Sequence, residues 1–261
     1  MRLVTASLLK LVRRPATVRA PLVLAALIVL IYLSIGMSAG TNPEARAGVE
    51  PMLAFPDAHV TLASMLLMFS GIVGASYAGA VAASEWSWST FRTALARGES
   101  RVRYVVGLFV AIALLTLVAW LALYVLGIGV IVLVSSLGGV PAGDPFSLAN
   151  PAAIPVMIAS GGWAVLMLVG IGFAVSFVSR SAVAGVATVV ALVFIEQFAA
   201  MTSIPVELLR FAPMTAAASL VSTAGDVGLD AAIGVPLAVT TIYLLLAIGI
   251  AAAVGRRAQV A

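Results

Sequence analysis

The chain has one lysine, one histidine and no cysteine, so the chemistry open to it is narrow. A phosphate-cradling loop needs a lysine after a glycine-rich turn. Lys10 instead sits in Leu8-Leu9-Lys10-Leu11, so the chain has no ATPase site of that kind. A zinc site wants several His, Cys or acidic ligands, and a serine triad wants a buried base. His59 stands in a polar stretch and reads as a solvated loop residue. No pair of carboxylates lies inside an apolar run, which disfavours intramembrane hydrolases and phosphotransferases. No catalytic residue and no metal site are expected.

Two acids remain. Glu196 lies inside an apolar run near its end. Intramembrane ionisable groups are functional candidates, but a carboxylate so placed also serves as an interface anchor. Trp120, Trp163 and Met167, within other apolar runs, could line a path for a lipophilic substrate or simply pack. Glu85 opens a basic, aromatic segment, Glu85-Trp86-Ser87-Trp88-Ser89-Thr90-Phe91-Arg92-Thr93-Ala94-Leu95-Ala96-Arg97-Gly98. Trp88, Phe91 and Leu95 are spaced to share one helical face. Ser87 is the expected N-cap and Gly98 the expected stop. Arg92 and Arg97 fall on the far side.

The elements that must position these residues are membrane spans. Of 261 residues, 63% are hydrophobic and 9% charged, against roughly a quarter charged in soluble domains. Mean hydropathy is +1.19. The apolar runs are about 20 residues long, the length of a spanning helix rather than a barrel strand. Six spans are expected, at 21–37, 60–83, 104–137, 152–178, 181–200 and 235–255, as one all-α transmembrane domain over 1–261. The run at 104–137 is too short for two crossings and is read as one long span. Residues 1–19 form an amphipathic interface helix, with Pro15 and Pro21 bracketing the turn into the membrane. Residues 41–59 and 138–151 read as loops, and Arg180 marks a tight turn.

Charge placement orients the spans. With the N-terminus inside, twelve of the fourteen Lys and Arg residues are cytoplasmic: five in 1–19, four in 92–103, Arg180, Arg256 and Arg257. Positive charge favours the inner side, so both termini are expected in the cytoplasm. Small residues recur every fourth position in span two, as Gly71, Ala75, Gly79 and Ala83 and as Ser70, Gly74, Ala78 and Ala82. Ala247, Ala251 and Gly255 repeat the pattern in span six. Such rows allow close helix approach, as intrachain packing or as a translocation wall or subunit seam.

On these residues the chain resembles the permease subunits of ABC-2 type transporters. Those permeases carry an acid after span two and then a stretch close to Gly-Thr-x-Leu-Arg, ending in Ser-Arg. Glu85, Thr90-Phe91-Arg92-Thr93-Ala94-Leu95 and Ser100-Arg101 match it, with Ser89 for the glycine and Phe91 for a leucine. Leu208 to Ala217 resembles the family's last external segment, which partly re-enters the membrane between spans five and six.

The resemblance implies a coupling helix after span two. Glu85, Trp88, Thr90, Phe91, Arg92, Leu95, Arg97 and Arg101 would then meet a separate cytoplasmic ATPase. It implies a pair of permease copies, homo- or heterodimeric, in the cell membrane of a prokaryote. ATP and Mg would be bound by the ATPase, with no cofactor in this chain and no nucleic acid as partner. The expected function is export of a hydrophobic or amphipathic substrate. The rival readings are a secondary transporter or channel, which would need a coupling-ion site, and a non-transporting membrane anchor.

Overall fold

The computed structural model describes residues 2–96, 98–146, 153–202, 205–227 and 231–257. All regular structure among them is helical. Six helices are long and apolar enough to span a bilayer: α2 (Pro15–Thr41), α4 (Asp57–Ser87), α6 (Arg101–Leu137), α7 (Ala153–Ser179), α8 (Ala182–Ala200) and α11 (Gly234–Arg257). Shorter helices are α1 (Arg2–Val12), α3 (Pro43–Leu53), α5 (Thr90–Ala96), α9 (Val206–Leu209) and α10 (Pro213–Val227). The chain is therefore a multi-pass membrane protein.

Both prolines that were expected to bracket a turn lie inside α2. The turn falls instead at Arg13–Arg14. Pro15 occupies the first helical position, where its missing N–H costs nothing. Pro21 costs one ladder bond, which a spanning helix tolerates.

The expected loop at 41–59 contains α3. Asn42 caps it, its side chain accepting from the N–H groups of Glu44 (2.9 Å) and Ala45 (3.4 Å). Asn-Pro-Glu is an N-terminus signal in its own right: a capping side chain, a proline at the first position and an acid in the first turn.

Helix α7 is central. Of its most apolar stretch 78% is buried within the protein, against at most 50% for any other span. Small residues let its neighbours close in. The row on α4 packs against α7: a Cβ on Gly71 would strike Leu168, and one on Gly74 would come within 2.7 Å of Val169. From the other side, a Cβ on Gly172 would meet Ala75 Cα at 2.9 Å and its carbonyl at 3.1 Å. Gly185 on α8 seats against the Gly172 carbonyl. Its N–H donates to Ser176 Oγ at 3.1 Å. The rows in span two thus serve packing within one chain. Between α7 and α8 the chain reverses at Arg180, which holds a left-handed φ of 58°.

Helix α10 is not a surface appendage. Ala216, Ala217, Leu220, Val221 and Ala224 on it are fully buried, and the helix packs on α4, α7, α8 and α11.

Candidate functional site

Glu85 lies near the end of α4 with none of its surface exposed. A buried carboxylate is costly unless paired and hydrogen-bonded. Lys10 Nζ donates to its Oε1 at 2.6 Å, and the Tyr104 hydroxyl donates to its Oε2 at 2.5 Å. Arg14 Nη2 stands 4.0 Å from Oε1, and its Nη1 donates to Ser84 Oγ at 3.1 Å. One anion therefore ties three elements together: α1 through the only lysine, α6 through Tyr104, and α4 itself. Leu11, also fully buried, anchors α1 beside it.

The α4–α5 junction differs from its expected form. Ser87 does not cap α5 but closes α4, and Trp88 is the residue that caps α4. Helix α5 starts at Thr90, after Ser89 at a left-handed φ of 53°. The Ser89 carbonyl accepts from Thr93 N and Thr93 Oγ1, both at 3.0 Å. Gly98 does end the segment, at φ 84°, with its N–H donating to the Leu95 carbonyl at 2.9 Å.

Nor do the three apolar residues share one buried face. Phe91 is fully buried and Leu95 partly so, but Trp88 is 66% exposed with the Arg14 guanidinium 4.9 Å from its ring centre. The inward tryptophan is Trp86. Its ring lies 5.0 Å from Phe91 and 5.1 Å from Phe177, and its Nε1 donates to the Phe177 carbonyl at 3.0 Å. Arg180 covers its other face at 4.5 Å. Phe91 also meets Tyr104 at 5.7 Å and the edge of Phe177 at 5.8 Å. So α5 is set against α4, α6 and α7 by an aromatic nest.

Thr90 is half-buried and Arg92 faces outward. Arg101 donates from Nη1 to the Arg256 carbonyl at 2.7 Å, tying the start of α6 to the end of α11. Arg97 lies outside the described residues. The structure thus gathers Glu85, Phe91, Leu95 and Arg101 into one end of the bundle and leaves Trp88 and Arg92 on its surface.

The residues considered for a substrate path do not converge. Met167 is buried within α7. Trp163 Nε1 donates to Thr241 Oγ1 at 3.1 Å, and Trp120 Nε1 to the Ile158 carbonyl at 3.0 Å. Glu196 is buried and acts as a cap for another helix. Its Oε1 accepts from Met214 N at 2.9 Å. Its Oε2 accepts from Thr215 N at 2.7 Å and Thr215 Oγ1 at 2.9 Å. Helix α10 begins at Pro213 after Ala212, whose side chain cannot cap. A carboxylate at an N-terminus satisfies those donors and suits the helix dipole.

His59, expected in a solvated loop, lies in α4 with 3% of its surface exposed. Its Nε2 pairs with the Pro145 carbonyl at 2.8 Å and its Nδ1 with the Tyr124 hydroxyl at 2.9 Å. The carbonyl can only accept, so Nε2 carries the proton and Nδ1 receives the one from Tyr124. This imidazole pins the 138–146 loop to α4 and α6.

Neither a family model nor a curated protein matches the sequence.

Sequence reasoning missed Lys10, Arg14, Trp86 and Tyr104 as partners of the junction. Opposite charges at Lys10 and Glu85 were visible, but a pairing across 75 positions leaves no local pattern. Nothing in spacing alone distinguishes Trp86 from Trp88 once the helix break falls between Trp88 and Thr90.

Proposed function

We propose that the chain is the membrane subunit of an ATP-driven exporter of the ABC-2 permease type, moving a hydrophobic or amphipathic substrate. A separate cytoplasmic ATPase binds ATP and Mg and docks at the α4–α5 junction. The permease works as a pair of copies in the cell membrane, with both termini in the cytoplasm. The observation that carries this reading is the two-sidedness of the α4–α5 junction. Trp88 and Arg92 face outward, while Phe91 is set into aromatic rings from α4, α6 and α7. A push on the outer side is delivered through rigid rings to three spans at once. The clustering of Lys10, Arg14, Arg101, Arg180 and Arg256 at that same end agrees with a cytoplasmic orientation.

The test is co-expression with a cytoplasmic ABC ATPase, sought first in the neighbouring genes. Wild type should co-purify with it and hydrolyse ATP in step with transport. Arg92→Glu or Trp88→Ala should insert normally and lower either the ATPase recovered per chain or the transport per ATP. Wild-type ratios in both variants would remove the coupling role from this segment. Transport by the chain alone, driven by a proton or sodium gradient, would replace the ATPase reading with a secondary transporter.

A further inference from the structure

A cavity of about 290 Å³ lies between α2, α4 and α6. That is close to the smallest ligand pockets of folded proteins. Its space comes from small side chains, Ala20 on α2 and Ala119 on α6, and it reaches the outer surface of the bundle at Val118, which is 67% exposed. The opening therefore faces lipid. Water does not settle in so apolar a space, and an empty gap forfeits the dispersion contacts of its lining.

The lining carries hydroxyls and no Asp, Glu, Lys, Arg or His. Ser70 is 6% exposed, and its hydroxyl has no hydrogen-bond partner. Toward the basic end of the bundle, Thr17 donates to the Leu11 carbonyl at 2.5 Å. Its proton being used, Thr17 accepts from the Tyr77 hydroxyl at 2.7 Å, which leaves the lone pairs of the Tyr77 oxygen free. Seven helical positions separate Ser70 from Tyr77, about 10 Å along α4. With Thr116 on α6, three hydroxyl stations thus stand in an otherwise apolar slot.

We infer that this cavity is a binding site for an uncharged, membrane-dissolved amphiphile, an apolar body bearing one hydrogen-bonding group such as a hydroxyl. A charged headgroup would find no counter-charge there. A plain hydrocarbon tail would leave these hydroxyls unused. The inference stands on the cavity alone and does not depend on an ATPase partner.

The probe is a long-chain alcohol with a diazirine in its chain, applied to the full chain in lipid nanodiscs. Photolabelling should saturate and map to Val73–Tyr77 and Leu115–Leu123. Decanol should compete at least about fivefold better than decane, the worth of one hydrogen bond. Ser70→Ala combined with Tyr77→Phe and Thr116→Val should bring that ratio to one. Filling the cavity from either wall, with Ala119→Phe or Ala20→Phe, should abolish saturable labelling, whereas Leu121→Phe on the lipid face should not. Equal competition by decane and decanol in wild type would show a lipid-tail crevice and overturn the proposal. So would labelling spread over the outer faces of the spans.

Discussion

Glu85 has no exposed surface and Lys10 keeps 30% of its side chain in reach of water, so the two ends of their bond are unequal. Removing Lys10 leaves a buried anion with only Tyr104 and a guanidinium 4.0 Å away. Removing Glu85 leaves an ammonium that can turn outward. Lys10→Met should therefore cost more stability than Glu85→Gln, on the order of 3 kcal/mol against about 1. The double variant should recover part of the loss, with a coupling of about 1–3 kcal/mol. Thermal denaturation of the four proteins in one detergent measures this, and additive losses would show that the pair is not coupled. Residue by residue, the sequence was an uneven guide. A single lysine and a single histidine narrow the chemistry the sequence can hold. The acids were legible as special, but not in what they do. Glu85 is sealed inside by donors from α1 and α6, and Glu196 caps α10. A carboxylate shows its charge in a sequence, but the donors that satisfy it lie elsewhere along the chain.

At the scale of elements, the helices that the bilayer imposes were readable, and those set by local capping were only partly so. Asn42-Pro43-Glu44 announces helix α3, but the proline and charge content of 41–59 is equally that of a loop. The close approach of α4 and α7 was announced by small residues, but whether the row faced a neighbour in the same chain or another copy was not. Gly172→Ala tests the seam. Its new Cβ would press on Ala75 backbone rather than on a side chain that can swing away, so the helices must part, at a cost of about 1–3 kcal/mol. Gly129→Ala meets nothing within 4 Å and should leave the melting temperature unchanged or raise it slightly. Equal losses would dissolve the seam interpretation. The cap of α10 makes a second element-scale prediction. Glu196→Gln keeps the shape and loses the charge, and should cost about 1 kcal/mol. The loss should appear as faster hydrogen exchange at the first turn of α10, with the other spans unchanged. Uniform acceleration would mean that Glu196 supports the whole bundle.

For the whole molecule, the number and order of spans follow from composition, since runs of about 20 apolar residues with at most one charge have few other fates. Which span sits at the centre did not follow. Every span is apolar all round, so no amphipathic stripe tells a lipid-facing side from a protein-facing one. Helix α7 earns its place through glycines that only the packed structure explains. The topology is testable because the chain lacks cysteine. Single cysteines at Ser100 and Asp144 should react with impermeant reagents from opposite sides of the membrane, Asp144 alone labelling in intact cells. Labelling of both from outside would break the six-span arrangement.

The clasp between Lys10 and Glu85 also has a history in time. Lys10 leaves the ribosome 75 residues ahead of the carboxylate it will meet. At about 5–20 residues per second, that is a wait of roughly 4–15 s. Tyr104, the other donor to that carboxylate, follows 19 residues later still. During the interval α1 has no protein partner for its ammonium, and an amphipathic helix at the lipid headgroups is a tolerable place to wait. The lock can close only once the end of the second span and the start of the third have been made, so the first helix to be made is fastened well after it forms.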